Sequence, residues 1–521
     1  MDATAVGGEL RSVNPATLEV VGAVPVTPPE AVPEAVAEAR LAQRQWARTS
    51  FAERRRLLAA VARLLLDRMD EIAATVTAET AKPLVEAFLS DVMVAVDNAV
   101  WIAENAEPTL RPERLRYPQL YLRHKRARIE HVPLGAVAVI SPWNFPFAIP
   151  FTETAMAVAA GNAVVVKPSE LTPLTGEWVG RAFELAGAPT GLVRVVQGDG
   201  ELGAALVRAR GIAKVFFTGS VEVGRQIAVA AGERLCPVTL ELGGKDPMLV
   251  FADADLGRAL DGATWGSFFN CGQVCSGVER IYVEEPLYDR FVVGLAERAK
   301  ALRIGRGDDF EVDLGPLISE EQRAKVESLV ETARDTVVTG GARPETGLPG
   351  WFYEPTVIAG SSDELASEEI FGPVVTVEPF RGEEEAVLRA NDTRFGLGAS
   401  VWTRDPERAR RVAGRLEAGS VWTNDVAYSY AAGQAPWGGF KESGLGRTHS
   451  RHGFYECTQA RFADEDSGRL AVPWWFPYDE LSVEGFKGVL GALYGDGLAA
   501  RLEAAWRHRR GLLHLGRRYL R

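Results

Sequence analysis

From residue 135 onward the sequence alternates short, continuously apolar runs with stretches of helical periodicity, and few architectures accept that pattern. The apolar runs occupy 136–140, 163–166, 193–196, 214–217, 238–241 and 248–251, with helical spacing between them at 173–186, 202–209, 221–231 and 256–268. Strands apolar on both faces belong to a parallel sheet covered by helices on both sides. A second set of runs follows at 280–283, 374–379, 400–403 and 420–422, separated by helical stretches such as 287–302 and 320–333. Two α/β units in tandem are expected, changing over near 240–244. Upstream, 30–48 and 52–106 carry three- and four-residue apolar spacing (Leu57, Val61, Leu64, Leu65, Met69), which predicts covering helices. Residues 119–132 alternate basic and apolar side chains and predict a strand or hairpin with one wet face.

Composition narrows the function classes. A chain of 521 residues can bury a large core across two or three domains. A net charge of −12 and a pI near 5.3 argue against nucleic acid as a partner. Four cysteines (Cys236, Cys271, Cys275, Cys457) are too few for a disulfide framework, so a reducing, cytoplasmic setting is expected. Cys271 and Cys275 have no second Cys/His pair at zinc spacing, and no metal is expected. The start, Met1-Asp2-Ala3-Thr4, shows no basic region followed by an apolar run, so no export signal is expected. The apolar stretch from 135 to 148 is broken by Pro142, Asn144 and Pro146 and does not read as a spanning helix.

Several stretches could carry chemistry, each with a plainer alternative. Phe268-Phe269-Asn270-Cys271-Gly272-Gln273-Val274-Cys275-Ser276-Gly277 surrounds Cys275 with small residues and backbone N–H groups, which suits a nucleophilic thiol. In isolation a buried structural thiol is the more frequent outcome. Leu240-Glu241-Leu242-Gly243-Gly244-Lys245 sets a carboxylate inside an apolar run, a general base or equally a glutamate tied to backbone donors. Ser141-Pro142-Trp143-Asn144-Phe145-Pro146 holds an amide between two prolines, an oxyanion donor or a turn asparagine. Lys167-Pro168-Ser169-Glu170 lies just past a strand's carboxyl end, where α/β sheets bind ligands, although solvent-facing loop charges look the same. Thr218-Gly219-Ser220-Val221-Glu222-Val223-Gly224 follows a strand and opens a helix, a phosphate site or an ordinary capped turn. Glu369-Ile370-Phe371-Gly372-Pro373 adds a carboxylate and an aromatic near a turn.

Taken together and in this order, these stretches resemble the aldehyde dehydrogenase superfamily of the NAD(P)-dependent, hydrolytic type. The likeness runs from Ser12-Val13-Asn14-Pro15 to about Arg461 and includes Pro436-Trp437-Gly438-Gly439-Phe440-Lys441-Glu442-Ser443-Gly444. The resemblance implies an α/β fold of two parallel-sheet domains plus a small β oligomerisation unit. The dinucleotide-binding domain would span 1–118 and 133–240, the catalytic domain 241–439, and the oligomerisation unit 119–132 with 440–464, giving a homodimer or homotetramer. It implies Cys275 as nucleophile, Glu241 as the base for the deacylating water, and Asn144 with the Cys275 backbone N–H as oxyanion hole. Lys167, Glu170 and Glu369 would hold ribose hydroxyls of NAD. Gly219, Ser220 and the helix they open would face the pyrophosphate, Trp143 and Phe371 would shape the nicotinamide side, and Gly224 and Leu242 would also be cofactor-binding. Glu170 favours NAD over NADP, because a carboxylate beside the adenosine ribose repels a 2′-phosphate, although some relatives with this arrangement also take NADP.

Two features depart from the usual pattern. Glu279 stands where many relatives carry a small hydroxyl residue before Arg280. The chain also continues through 465–521 with Pro473-Trp474-Trp475-Phe476-Pro477-Tyr478, an apolar 488–494, and an arginine-rich end (Arg501, Arg507, Arg509, Arg510, Arg517, Arg518, Arg521). A similar tail on relatives resembling succinate-semialdehyde dehydrogenases points to a short semialdehyde as substrate. The tail reads first as a packing extension across an oligomer and second as a peripheral membrane contact. Glu456 reads first as a surface ion pair and second as a proton relay. The competing functions are a CoA-acylating semialdehyde dehydrogenase, which a water-activating Glu241 argues against, and a catalytically silent homologue.

Overall fold

The computed structural model describes residues 8–466, 468, 471–472 and 474–519. Met1–Thr4, Pro473 and Arg521, named above, lie outside them. The chain separates into two compact units, residues 1–111 with 132–459, and residues 112–131 with 460–521.

In the larger unit the apolar runs form two sheets, each with its own core. The first contains Ala136–Ile140, Ala163–Lys167, Val193–Val195, Ile212–Thr218 and Val238–Glu241. These are mutually parallel, and numbered by their order along the chain they lie side by side as 5-4-1-2-3. Gly444–Leu445 adds antiparallel to the outer edge, with Gly444 opposite Glu241. The first two strands are buried at every position, because helices cover both faces. The second sheet runs Val337–Thr339, Thr356–Ala359, Val374–Phe380, Val278–Glu284, Asp246–Val250, Gly398–Trp402 and Ser420–Thr423 from edge to edge, all parallel except the first.

The helical stretch expected over 52–106 is divided into Phe51–Asp67, Met69–Thr80, Leu84–Ala87 and Val94–Leu110, with a wider turn at Phe88–Met93; non-helical Arg68 makes the first break, and left-handed Ala81 (φ 52°) with Pro83 the second. Ser50 and Glu53 form a capping box at the first of these.

In the smaller unit Thr458–Glu465 pairs with Arg126–Pro133, which pairs antiparallel with Glu113–Leu115. The strand expected from 119 therefore starts seven residues later, and Leu120–Leu122 is a helical turn instead. The C-terminal extension folds as three helices, Glu480–Tyr494, Gly497–Arg507 and Arg509–Tyr519. Its arginines are not all free for an outside surface: Arg518 donates to Pro477 O and to Ser482 Oγ. No helix among the described residues is long and apolar enough to cross a membrane.

Candidate active site

The strand order of the first sheet creates a crevice. After Ala136–Ile140 the chain moves to one side of that strand, and with Ile212–Thr218 it returns on the other. Loops from these neighbours leave in opposite directions, so a gap opens at their carboxyl ends, the usual ligand position in such sheets. Trp143 and Asn144 follow the first strand, Gly219 and Ser220 the second, and Lys167 and Glu241 end two others. The topology therefore gathers most of the candidate residues at one end of one sheet.

The thiol loop is held rigidly. Helix Leu256–Phe268 stops, and Asn270 and Cys271 adopt left-handed backbone with φ of 52° and 55°. The cost of these conformations is offset by bonds. Asn270 N donates to the Glu86 carboxylate at 3.2 Å, and Asn270 Nδ2 donates to Asn144 O and Gln273 O. Asn144 Nδ2 donates to Gln273 O at 3.0 Å, tying that amide to the loop. Lys82, buried and paired with Asp91 at 3.2 Å, donates to Asn144 O at 2.6 Å. Sequence reasoning missed Lys82; its only signal is a lysine between a helical pattern and Pro83. Cys275 follows, half-buried, with its carbonyl against Gly244, where a Cβ would lie 2.1 Å from Cys275 O. Burial first, and then the Asp246, Glu369 and Glu241 carboxylates, push the Cys275 thiol well above its ordinary pKa. The thiol is thus protonated at neutral pH and needs a base.

Glu241 is the candidate for that base. It is 4% exposed, and neither carboxylate oxygen has a hydrogen-bond partner. Burial first, then the charge of Glu153, raise its pKa well above the carboxylate range, while Arg447 opposes the shift. Gly438, with φ of +147°, leaves room for it: a Cβ there would stand 3.0 Å from Glu241 Oε1.

The remaining candidates line the same end of the sheet. Lys167 Nζ and Glu170 Oε2 are 2.9 Å apart. Ser220 Oγ accepts from Val223 N at 3.3 Å and caps helix Val221–Gly232, and a Cβ at Gly224 would meet Leu242 Cδ2 at 2.6 Å. Glu369 accepts from Gly244 N at 2.9 Å, and burial lifts its pKa to about 7. Phe371, left-handed at φ 55°, meets Trp143 edge-on with ring centroids 5.5 Å apart. The unexpected Glu279 has a structural role: it accepts from Ile370 N and Phe371 N and pairs with the buried Lys245. Glu456 pairs with Lys214 and accepts from Thr239 Oγ1 at 3.1 Å, an ion pair as expected but with a buried lysine and not at the surface.

The aldehyde dehydrogenase family model matches residues 3–463. The chain belongs to the aldehyde dehydrogenase family. Among its relatives, betaine aldehyde dehydrogenase of Sinorhizobium fredii is 39% identical over 474 residues, covering 90% of this chain and 96% of that one. That of Cereibacter sphaeroides is 40% identical over 473 residues, with the same coverage. The crystal structure of Staphylococcus aureus betaine aldehyde dehydrogenase in complex with NAD+ superposes with a TM-score of 0.85 at 34% identity, covering 90% of this chain and 94% of that one.

In this aldehyde dehydrogenase Cys275 and Glu241 open onto a cavity of about 350 Å³. Phe145, Trp265, Phe269, Tyr428, Tyr430 and Trp437 contribute six aromatic rings to its wall, and among the described residues no lysine or arginine lines it. Phe269 stacks between Phe145 and Trp265, with centroids 6.1 and 4.6 Å away. A second carboxyl, Glu153, also faces the cavity, and sequence reasoning missed it.

Proposed function

We propose that the chain oxidises an aldehyde to the carboxylic acid with NAD+, through a thioester on Cys275 that water hydrolyses with Glu241 as base. The observation that carries this reading is a half-buried thiol and an unpartnered buried carboxylate opening on one cavity at the sheet's crevice. The crevice suits a dinucleotide. Ser220 and the helix it caps offer free N–H groups to a pyrophosphate, the Lys167–Glu170 pair and Glu369 offer partners for ribose hydroxyls, and Trp143, Leu242 and Phe371 offer apolar surface for the nicotinamide side. NAD+ supplies the hydride acceptor when bound.

The protein's own groups do the rest. The Cys275 sulfur bonds to the aldehyde carbon as its proton passes to Glu241 and from there to solvent, and the oxygen gains charge beside the Asn144 amide and the Cys275 N–H. Once the hydride has left, the acyl group stays on sulfur. Glu241 then takes a proton from water, whose oxygen attacks the acyl carbon, and the C–S bond breaks with its electrons on sulfur. A base placed for water stands against the CoA-acylating reading, and the Cys275–Glu241 cavity against a silent homologue.

The substrate class follows from the wall. A semialdehyde needs a cation for its distal carboxylate; this cavity offers aromatic faces and two carboxyl groups, Glu153 and Glu241. Aromatic faces suit an apolar end or a quaternary ammonium, which ring quadrupoles attract. Betaine aldehyde, the substrate in the relatives' names, fits that description, and a trimethylammonium aldehyde replaces the short semialdehyde as first candidate. The proposal keeps a homodimer or homotetramer, a cytoplasmic setting, and NAD before NADP, and draws the oligomerisation unit from the smaller compact unit, 112–131 with 460–521, instead of 119–132 with 440–464, because Gly444–Leu445 belongs to the first sheet. Aldehyde oxidation read at the nicotinamide absorbance tests it: betaine aldehyde should exceed succinate semialdehyde in kcat/KM by at least about tenfold, with no gain from added CoA. The reverse order overturns the substrate class, and acyl-CoA formation overturns the hydrolytic reading.

A further inference from the structure

Glu153 sits in the middle of helix Ala148–Ala160, all of whose residues are buried. A carboxyl in such a helix is costly unless something uses it. Its one hydrogen bond is long, Thr218 Oγ1 donating to Oε1 at 3.5 Å, and Oε2 has no partner. It opens on the same cavity as Glu241, whose two oxygens are also unpartnered.

We propose that Glu153 and Glu241 form a coupled carboxyl pair that shares one proton at neutral pH, Glu241 serving as base in the form in which Glu153 carries it. Glu153 acts through Glu241 and is a positioning residue for the proton rather than a catalytic one. Two buried carboxylates facing one cavity do not both ionise readily, so their protons leave in two steps that belong to the pair. Burial pushes Glu153 up to about 8, and its charge is the first influence on Glu241 after burial. Other groups near the pair are engaged or neutral. Arg447 donates to Gly439 O and Gly446 O, Glu456 is paired with Lys214, and Cys275, Tyr430 and Cys457 are held protonated by burial. In deacylation the water proton passes to Glu241, which makes both carboxyls neutral. That proton then passes to the Cys275 sulfur freed as the C–S bond breaks, which restores both the thiol and the singly protonated pair, so no other acid or base is required.

This inference rests on Glu241 as the deacylating base, and the test separates the two. The acyl enzyme is formed with p-nitrophenyl acetate, which acylates a nucleophilic thiol without cofactor, and its hydrolysis is followed against pH. The wild-type acid limb should be broad and two-stepped. In Glu153→Gln it should become a single step with its midpoint lower by about one pH unit, because Glu241 no longer shares a proton with a second carboxyl. Glu153→Asp, which keeps the charge, should return the limb toward the wild-type position. If Glu153→Gln does not fold, Glu153→Met, uncharged and close in volume, gives the same reading. A limb that stays at the wild-type position in a folded, uncharged variant overturns the pair. Hydrolysis persisting at the wild-type rate in Glu241→Gln instead overturns the base assignment itself.

Discussion

Lys245 Nζ lies 2.7 Å from Glu279 Oε2, and both side chains are buried. The same carboxylate accepts from the backbone of Ile370 and Phe371, so one buried glutamate fixes the strand entry that presents Phe371 to Trp143. Removing one partner of a buried pair strands the other charge, which costs about 3–5 kcal/mol. Glu279→Ala should lower unfolding stability by that amount in urea titration, and should raise KM for NAD+ more than it lowers kcat.

Gly244 admits no side chain. A Cβ there would stand 2.1 Å from Cys275 O and 2.9 Å from Asp246 Oδ1, and the first of these atoms is backbone. The clash can be relieved only by shifting the nucleophile. Gly244→Ala should reduce kcat by at least about a hundredfold, while the circular dichroism of the fold is retained.

Stability should fall as pH rises from 6.5 to 8. Burial raises Glu153 and Asp246 to about 8, and Glu79, Glu86 and Glu369 to about 7. An acid whose folded pKa is raised binds its proton more tightly folded than unfolded. The unfolded chain ionises first, near 4.5, and the cost to the fold grows until the folded pKa is passed. Carboxylates with lowered values are ionised in both states throughout this window. His449, held near 4 by burial, gains stability only up to its unfolded value of 6.5. Thermal scans should show Tm declining between pH 6.5 and 8, with a shallower decline in Glu153→Gln.

Lys167 is the cation at the carboxyl end of its strand, held by Glu170. Lys167→Ala removes a charged hydrogen-bond donor, worth about 1.5–3 kcal/mol. NAD+ affinity by calorimetry should fall by roughly tenfold or more, with thermal stability little changed.

The parallel strands were legible because continuous apolar runs are how strands covered on both faces must read; 136–140 and 163–166 are examples. Where a strand hides charge in buried pairs the pattern fails. Val278–Glu284 starts two residues before its apolar signal, at positions that include the Lys245-bound Glu279. The short strands Glu9–Val13, Val337–Thr339 and Thr356–Ala359 carried too little pattern to be read as strands. The catalytic candidates were visible through family likeness more than through spacing, since Cys275 alone reads as a core thiol. Glu153 had a local signal, one carboxylate in an otherwise apolar helix, but nothing in sequence says that this helix passes the cavity. Of the tail, only the apolar 488–494 and the arginine-rich end stood out in sequence, and neither showed the helix bounds or the internal bonds of Arg518.

The central claim is that Glu241 prepares the water that frees Cys275. Intact-mass spectrometry of Glu241→Gln, mixed with NAD+ and betaine aldehyde and quenched within one turnover time, tests it most directly. The account predicts one equivalent of NADH and an acyl adduct that maps to Cys275, persisting at least about a hundredfold longer than in wild type. Steady turnover at the wild-type rate, or NADH formed with no adduct on Cys275, would contradict it.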